Sequence, residues 1–362
     1  MGYASKYVVE HHDSPHPDTD PEGFIALLQG LGNRWNGAVL IPSDDATLIP
    51  VSKQKGMLGA FFRVAADDWA VVEQCIVKKH TYALAERIGV PCPRTSIPGT
   101  IDEARAFARE IGFPCILKPT VGHSFFERFR QKMLFIREMD GLESSWSQLA
   151  ETGIEVMLQE FIPGDDRCGV NYNSFFVNGQ PLVEVTAKKI RLTPPSIGFP
   201  RVVVSKMVPE LSAPATKFIR ALGYDGFSCM EFKKDSRDGI YRLMEINARL
   251  NLSTPLSVKA GVNFPYLLYR YTLLGELPQT GNGFKEDIFW IDPGKDLTET
   301  VRSYRKERFT IKEYLRPYLR PHVFTILSLT DMGPFLKRCC DLMNEGLRRF
   351  YNKLFKGVVH EK

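Results

Sequence analysis

Cysteine is scarce in this chain. Seven occur in 362 residues, at 75, 92, 115, 168, 229, 339 and 340, with scattered spacings and no Cys-x-x-Cys. An odd, unpatterned set argues against a disulfide framework or a thiolate zinc site, and predicts reduced core thiols in a cytoplasmic protein. Long apolar runs are missing too, so no segment reads as a membrane span. The first 25 residues are polar and rich in His, Asp and Pro, unlike a secretory signal. The glycine loops of common nucleotide sites are absent. There is no Gly-x-x-x-x-Gly-Lys-[Ser/Thr], no Gly-x-Gly-x-x-Gly and no protein-kinase set. Neither Gly-x-Ser-x-Gly nor His-Glu-x-x-His occurs, which removes the common serine-hydrolase and zinc-protease readings.

What is present is an ordinary folded composition. With 44% hydrophobic and 25% charged residues, the chain has enough apolar surface to fold and no large disordered block is expected. Its length suits two or three lobes. The net charge of +5 is uneven: residues 295–362 hold 15 Lys/Arg against 8 Asp/Glu, and the remainder 32 against 34. A basic tail reads first as a solvated helical face and second as a contact for an anionic partner.

The most informative stretch runs from Glu231 to Thr254. Asp238-Gly239 is a hairpin-turn signal between two apolar-rich runs. Strand alternation puts Glu245 and Asn247 on one face, with Arg249 following if the strand continues and Glu231 available from the partner strand. Such an oxygen-rich set suits Mg2+, or Mn2+ in its place, which takes hard ligands and keeps substrate phosphates in its shell. Glu245 lies among Leu243, Met244 and Ile246, where a carboxylate needs a partner. Lys233, Lys234 and Asp235 read instead as a solvated hairpin face.

Upstream, strands and helices alternate. A short strand is expected at Tyr7-Val8-Val9, and a helix from about Pro21 to Leu31 capped by Asp20. A strand at 38–41 and a helix over 52–62 complete a β-α-β-α rhythm. Lys78 opens a helix that Gly89 ends. Phe113 to Pro119 is a short buried strand closing on Lys118, a placement that suits anion binding. Asn178-Gly179 joins two strands, 168–177 and 181–190. Lys189 and Arg191, two apart on a strand, would share one face. The 334–356 segment is an amphipathic helix with Phe335, Cys339, Leu342, Phe350 and Leu354 on one side. Packing on the main body is its first reading and docking to a membrane surface its second. The tail lacks interleaved aromatic and basic residues, so no nucleic-acid partner is expected.

In chain order these features resemble the ATP-grasp superfamily, in particular its carboxylate–amine ligase branch, over about residues 5–275. Lys78 is similar to the first lysine of that family, although Val77 stands where the family usually has Asp, which keeps Lys79 as a rival. Phe113-Pro114-Cys115-Ile116-Leu117-Lys118-Pro119 looks like the second-lysine strand, whose lysine contacts the α- and β-phosphates. Gln159-Glu160-Phe161-Ile162-Pro163-Gly164 resembles the hinge whose backbone at Glu160 and Ile162 reads adenine. Asp166 matches the acidic position for ribose hydroxyls, Glu231, Glu245 and Asn247 the metal ligands, and Arg249 the arginine near the transferred phosphoryl group. Lys189 and Arg191 join Arg249 as catalytic candidates. The loop at 120–130, with Phe125, Phe126 and Phe129, lacks the small glycine-rich character of the family's lid.

The resemblance implies an α+β or α/β chain with two subdomains clasping ATP, preceded by a truncated α/β lobe. The expected boundaries are a partial lobe at 1–95, a lid subdomain at 96–165, a core with the metal site at 166–280, and a basic extension at 281–362. It implies ATP and Mg2+ as cofactors, and small carboxylate and amine substrates, amino acids among them. The implied reaction forms an amide or peptide bond through an acyl phosphate. The alternative is an ATP-binding regulatory or scaffold module without turnover. Oligomeric state stays open.

Overall fold

Strand-forming runs separated by turn residues organise the described residues into three sheets. The computed structural model describes residues 1–120, 133–150, 152–196, 198–279, 281, 283–307 and 309–356. Apart from Thr120, the expected lid loop with Phe125, Phe126 and Phe129 lies outside the described residues. The first sheet is a parallel pair, β1 (Val39–Leu40) and β2 (Arg63–Val64). The second has four antiparallel strands: β3 (Thr95–Ser96), β4 (Cys115–Pro119), β5 (Leu134–Ile136) and β6 (Val156–Glu160), in the order β3-β6-β4-β5. The third contains β7 (Gly169–Val177), β8 (Gln180–Thr193), β9 (Phe199–Ser205), β10 (Gly226–Lys234), β11 (Tyr241–Asn247), β12 (Phe289–Ile291) and β13 (His322–Phe324). Its order is β11-β10-β7-β8-β9-β12-β13, so the chain beyond residue 281 extends the same sheet.

Local chemistry accounts for these elements. Asn178 and Gly179 both take the left-handed conformation, with φ of 52° and 70°, which a tight hairpin between twisted strands requires. The Pro21–Arg34 helix starts with proline, and the Asp20 carboxylate accepts the Gly23 N–H. The seven-stranded sheet packs helices on both faces, Phe227 and Cys229 meeting Phe264 and Leu268 on one of them. Val72, Leu84, Phe218 and Ile219, from three helices, pack on Tyr172, Phe232, Leu243 and Ile246. Burying each such side chain contributes about 1.5–3 kcal/mol. The smaller sheet is covered by Ala104, Ala108 and Ile111 of the Ile101–Ile111 helix and by Leu142 and Leu149 of the Met139–Ala150 helix.

Three local expectations are corrected. Tyr7-Val8-Val9 is not a strand: Val9 is 92% exposed, and the segment is held instead by Ser5 and Lys6 on Asp331. Asp235 is fully buried rather than solvated, because Arg237 and Arg242 both pair with it. The C-terminal helix, Gly333–Lys356, buries its expected apolar side only in part: Phe335 and Cys339 are half-buried, Leu342 is 49% exposed, and Leu336 and Met343 beside them are 55% and 63% exposed. Among the described residues no helix is long and apolar enough to cross a membrane.

Candidate active site

Two β-bulges decide which side chains reach the cleft. On β10 and β11, Glu231 stands directly opposite Glu245, but the next partners are Phe232 and Leu243, so Met244 is an extra residue. The bulge lets Leu243 and Ile246 both enter the core while Glu245, between them, faces the cleft. Asn247 follows on the cleft side, opposite Cys229. The second bulge, at Ile190 on β8, works against an expectation. Lys189 pairs with Val203 and Arg191 with Val202, so the two do not share a face. Arg191 is withdrawn from the site. Its guanidinium binds Asp296 at 2.8 Å and stacks over the Tyr314 ring.

Lys189, Glu231, Glu245, Asn247, Lys78 and Lys118 do converge. Lys189 Nζ is 2.5 Å from Glu231 Oε2, and Lys78 Nζ is 3.3 Å from Glu245 Oε1. Lys79, the rival, points elsewhere, to Glu155 at 3.1 Å. Lys118, 9% exposed, donates to the Tyr82 hydroxyl at 3.0 Å, and Tyr82 donates to the Met244 carbonyl at 2.6 Å. The electrostatics follow from burial and close charges. Burial, then Lys78, pushes the Lys118 amine down to about 7. Glu245 raises Lys78 above the ordinary lysine range against the opposing effect of burial. Burial favours a neutral Glu245, yet Lys78, Lys118 and Lys189 outweigh it and hold the carboxylate below its usual range. Burial likewise opposes the Lys189 charge, and Glu231 overcomes it.

A divalent metal fits this donor set. Among the described residues no group of three or more Asp, Glu, His or Cys forms a closed metal cage. Two register-paired carboxylates and a carboxamide therefore suit an ion that completes its shell with phosphate and water. One orphaned atom strengthens the fit. Asn171 on β7 is the register partner of Glu231, is 4% exposed, and its Oδ1 has no hydrogen-bond partner. A buried, unpaired carbonyl oxygen beside Glu231 is costly unless a ligand uses it. Arg249 is held by a bidentate pair with Asp45, at 2.6 and 3.0 Å, and also donates to Asn247 at 3.3 Å. It borders a cavity of about 500 Å³ that Lys55, Asp67, Asp225 and Tyr271 also line.

At the expected adenine end several groups already have protein partners. The Glu160 N–H is taken by the Arg94 carbonyl at 2.9 Å, and its carboxylate by Arg237 at 2.7 Å. Gln159 is buried and donates to Thr95 at 2.7 Å. Phe161 packs edge-on against Phe135, with Lys233 over its ring at 5.0 Å, and Ile162 is buried beside them in sequence. Asp166 does not face the cleft openly, because its two oxygens accept the Leu192 and Ser196 N–H groups at 2.7 and 2.6 Å. Tyr82, Asn171, Lys233 and Asp45 were missed in the sequence. Signals existed for two: Tyr82 lies four residues after Lys78 on one helix, and Lys233 two after Glu231 on one strand.

Two sheets of unequal size, with lysines and carboxylates gathered between them, are the arrangement of the ATP-grasp fold. The chain is similar in sequence and fold to proteins of the carboxylate–amine ligase group of that superfamily. Residues 188–270 match the family described as carbamoyl-phosphate synthase L chain, ATP binding domain. The D-aspartate ligase of Enterococcus faecium is 26% identical over 274 residues, covering 69% of this chain and 63% of that protein. The carbamoyl phosphate synthase large chain of Methanothrix thermoacetophila is 30% identical over 184 residues, 48% of this chain and 16% of the relative. The chain thus spans less than two thirds of these curated relatives. Among solved structures, an L-amino acid ligase from Bacillus licheniformis superposes with a TM-score of 0.55 at 18% identity, covering 70% of this chain and 61% of that one. A biotin carboxylase from Campylobacter jejuni gives 0.60 at 16% identity, covering 74% and 60%.

Proposed function

We propose that the chain is an ATP-dependent carboxylate–amine ligase that forms an amide or peptide bond through an acyl phosphate, with an amino acid as one substrate. The observation that carries this reading is the convergence of Lys78, Lys118 and Lys189 on Glu231, Glu245, Asn247 and the orphaned Asn171 oxygen. Three cationic side chains opposite a hard-oxygen donor set match the needs of a metal-complexed triphosphate. When bound, ATP with Mg2+ or Mn2+ would supply the phosphoryl group and neutralise its charge. Glu231, Glu245, Asn247 and Asn171 would hold the metal.

Lys78, Lys118 and Lys189 would turn from their present partners to phosphate oxygens. A substrate carboxylate would take the γ-phosphoryl group, ADP leaving. An amine would then attack the acyl carbon, losing a proton and expelling phosphate. Arg249, fixed by Asp45, would stabilise the charge that develops on the acyl phosphate. No side-chain nucleophile is needed. The adjoining cavity carries cations, Lys55 and Arg249, and anions, Asp67 and Asp225. That pairing of signs suits a molecule bearing both a carboxylate and an ammonium group.

The test is ADP and phosphate release across an array of amino acids and small acids, with product masses recorded. Turnover that needs one acid and one amine is expected. Glu245→Gln should abolish it with the fold intact, and retained turnover there would remove the metal assignment. Nucleotide binding without any acid or amine dependence would favour a regulatory module instead.

A further inference from the structure

We propose that the C-terminal part of the chain docks on an anionic membrane surface through the apolar side of the Gly333–Lys356 helix. The apolar positions Leu336, Cys340, Met343, Leu347, Phe350 and Leu354 recur at three- and four-residue steps over about five turns of this 24-residue helix. In the described first half, Leu336 and Met343 are 55% and 63% exposed and Cys340 is exposed. The body meets the helix on another side. The N-terminal segment reaches it through Tyr3, under Lys337, and Ser5 binds Asp331 just ahead of it. In this described half, three apolar side chains at helical spacing are left in water, where a surface helix usually presents polar ones.

Charge says which occupant fits. The helix sequence carries six Lys/Arg against two Asp/Glu, and residues 295–362 carry 15 against 8. A second copy would bring the same positive surface against itself, whereas an anionic bilayer would satisfy both the charge and the apolar stripe. The same design recurs nearby. Ile311, Leu315 and Leu319 stand four apart with exposures of 80%, 42% and 79%. Each is followed directly by an exposed cation, Lys312, Arg316 and Arg320. Two cationic, apolar elements in one segment supply the paired signals that reversible membrane binding requires.

The experiment is co-sedimentation of the full chain with vesicles of phosphatidylcholine alone or mixed with phosphatidylglycerol, at low and high salt. Binding is expected only with the anionic vesicles, weakened but not abolished by salt. The double variant Leu336→Gln, Met343→Gln should lower the vesicle affinity at least about tenfold, the effect of removing one or two buried apolar side chains. Ile311→Gln, Leu319→Gln should lower it by a similar factor, and metal-nucleotide affinity should be unchanged in both. Failure of the wild-type chain to sediment with anionic vesicles would overturn the proposal. So would vesicle binding unchanged in both variants, or a wild-type dimer that Leu336→Gln, Met343→Gln splits. Tight binding to nucleic acid with no vesicle binding would overturn it as well. None of these readouts depends on ligase turnover, so the test stands apart from the proposed reaction.

Discussion

Lys118 has almost no solvent and a second cation, Lys78, for company, so its amine titrates near 7 rather than in the ordinary lysine range. Only the protonated form attracts phosphate oxygens. Below pH 7 the free protein already carries that proton, and nucleotide binding should be insensitive to pH on this account. Above pH 7 binding must draw a proton from solution, so affinity should fall by up to about tenfold per pH unit until the pKa of the bound state is passed. Isothermal titration with a non-hydrolysable nucleotide from pH 6 to 9 measures this slope. Lys118→Arg, whose guanidinium does not titrate in that range, should flatten it. A slope unchanged by that substitution would assign the proton elsewhere.

At the scale of elements, bulges and buried ion clusters determine what faces the cleft. Arg191, Arg201, Tyr318 and Asp296 form one buried cluster that ties the Pro293–Glu307 helix to β8 and β9. Removing its one carboxylate leaves the buried Arg191 guanidinium without its 2.8 Å ion partner. Asp296→Asn should therefore cost about 3–5 kcal/mol, read as a lower urea midpoint, with nucleotide affinity unchanged. The elements themselves were largely legible in the sequence. The Lys78 helix, the Lys118 strand, the Asn178-Gly179 hairpin and the acidic hairpin all appear near their expected bounds, because local pattern and turn chemistry set them. The facing of side chains was less legible. A one-residue bulge reverses strand alternation without any sequence signature, which is why Lys189 and Arg191 part company and why Glu245 sits comfortably between two core residues. Asn171 was invisible because its importance lies in cross-strand register with Glu231, sixty residues away.

Over the whole molecule, the two large sheets are joined by polar clasps rather than by one shared core. Arg237, at the tip of the β10–β11 hairpin, reaches Glu160 at the end of β6, while Asp235 beneath it is satisfied by Arg237 and Arg242. Tyr82 spans from Lys118 on the smaller sheet to the Met244 carbonyl on the larger. The Arg237–Glu160 clasp has one half-exposed partner and is worth about 1 kcal/mol, whereas the Lys118–Tyr82 clasp is buried and holds the cleft more firmly.

The pairing of Lys78 with Glu245 and Lys189 with Glu231 has a consequence for how the resting protein meets its surroundings. It carries its own counterions. A free divalent ion gains little by entering, since it must evict two ammonium groups that then have nowhere to go. A metal–triphosphate complex brings the ion for the carboxylates and the oxygens for the lysines together, and every charge changes partner at once. The cleft thus acts as a coincidence detector, blind to either component alone. Chelator should leave the melting temperature of the free protein unchanged, Mg2+ alone should not raise it, and Mg2+ with nucleotide should raise it by several degrees, as differential scanning fluorimetry would record.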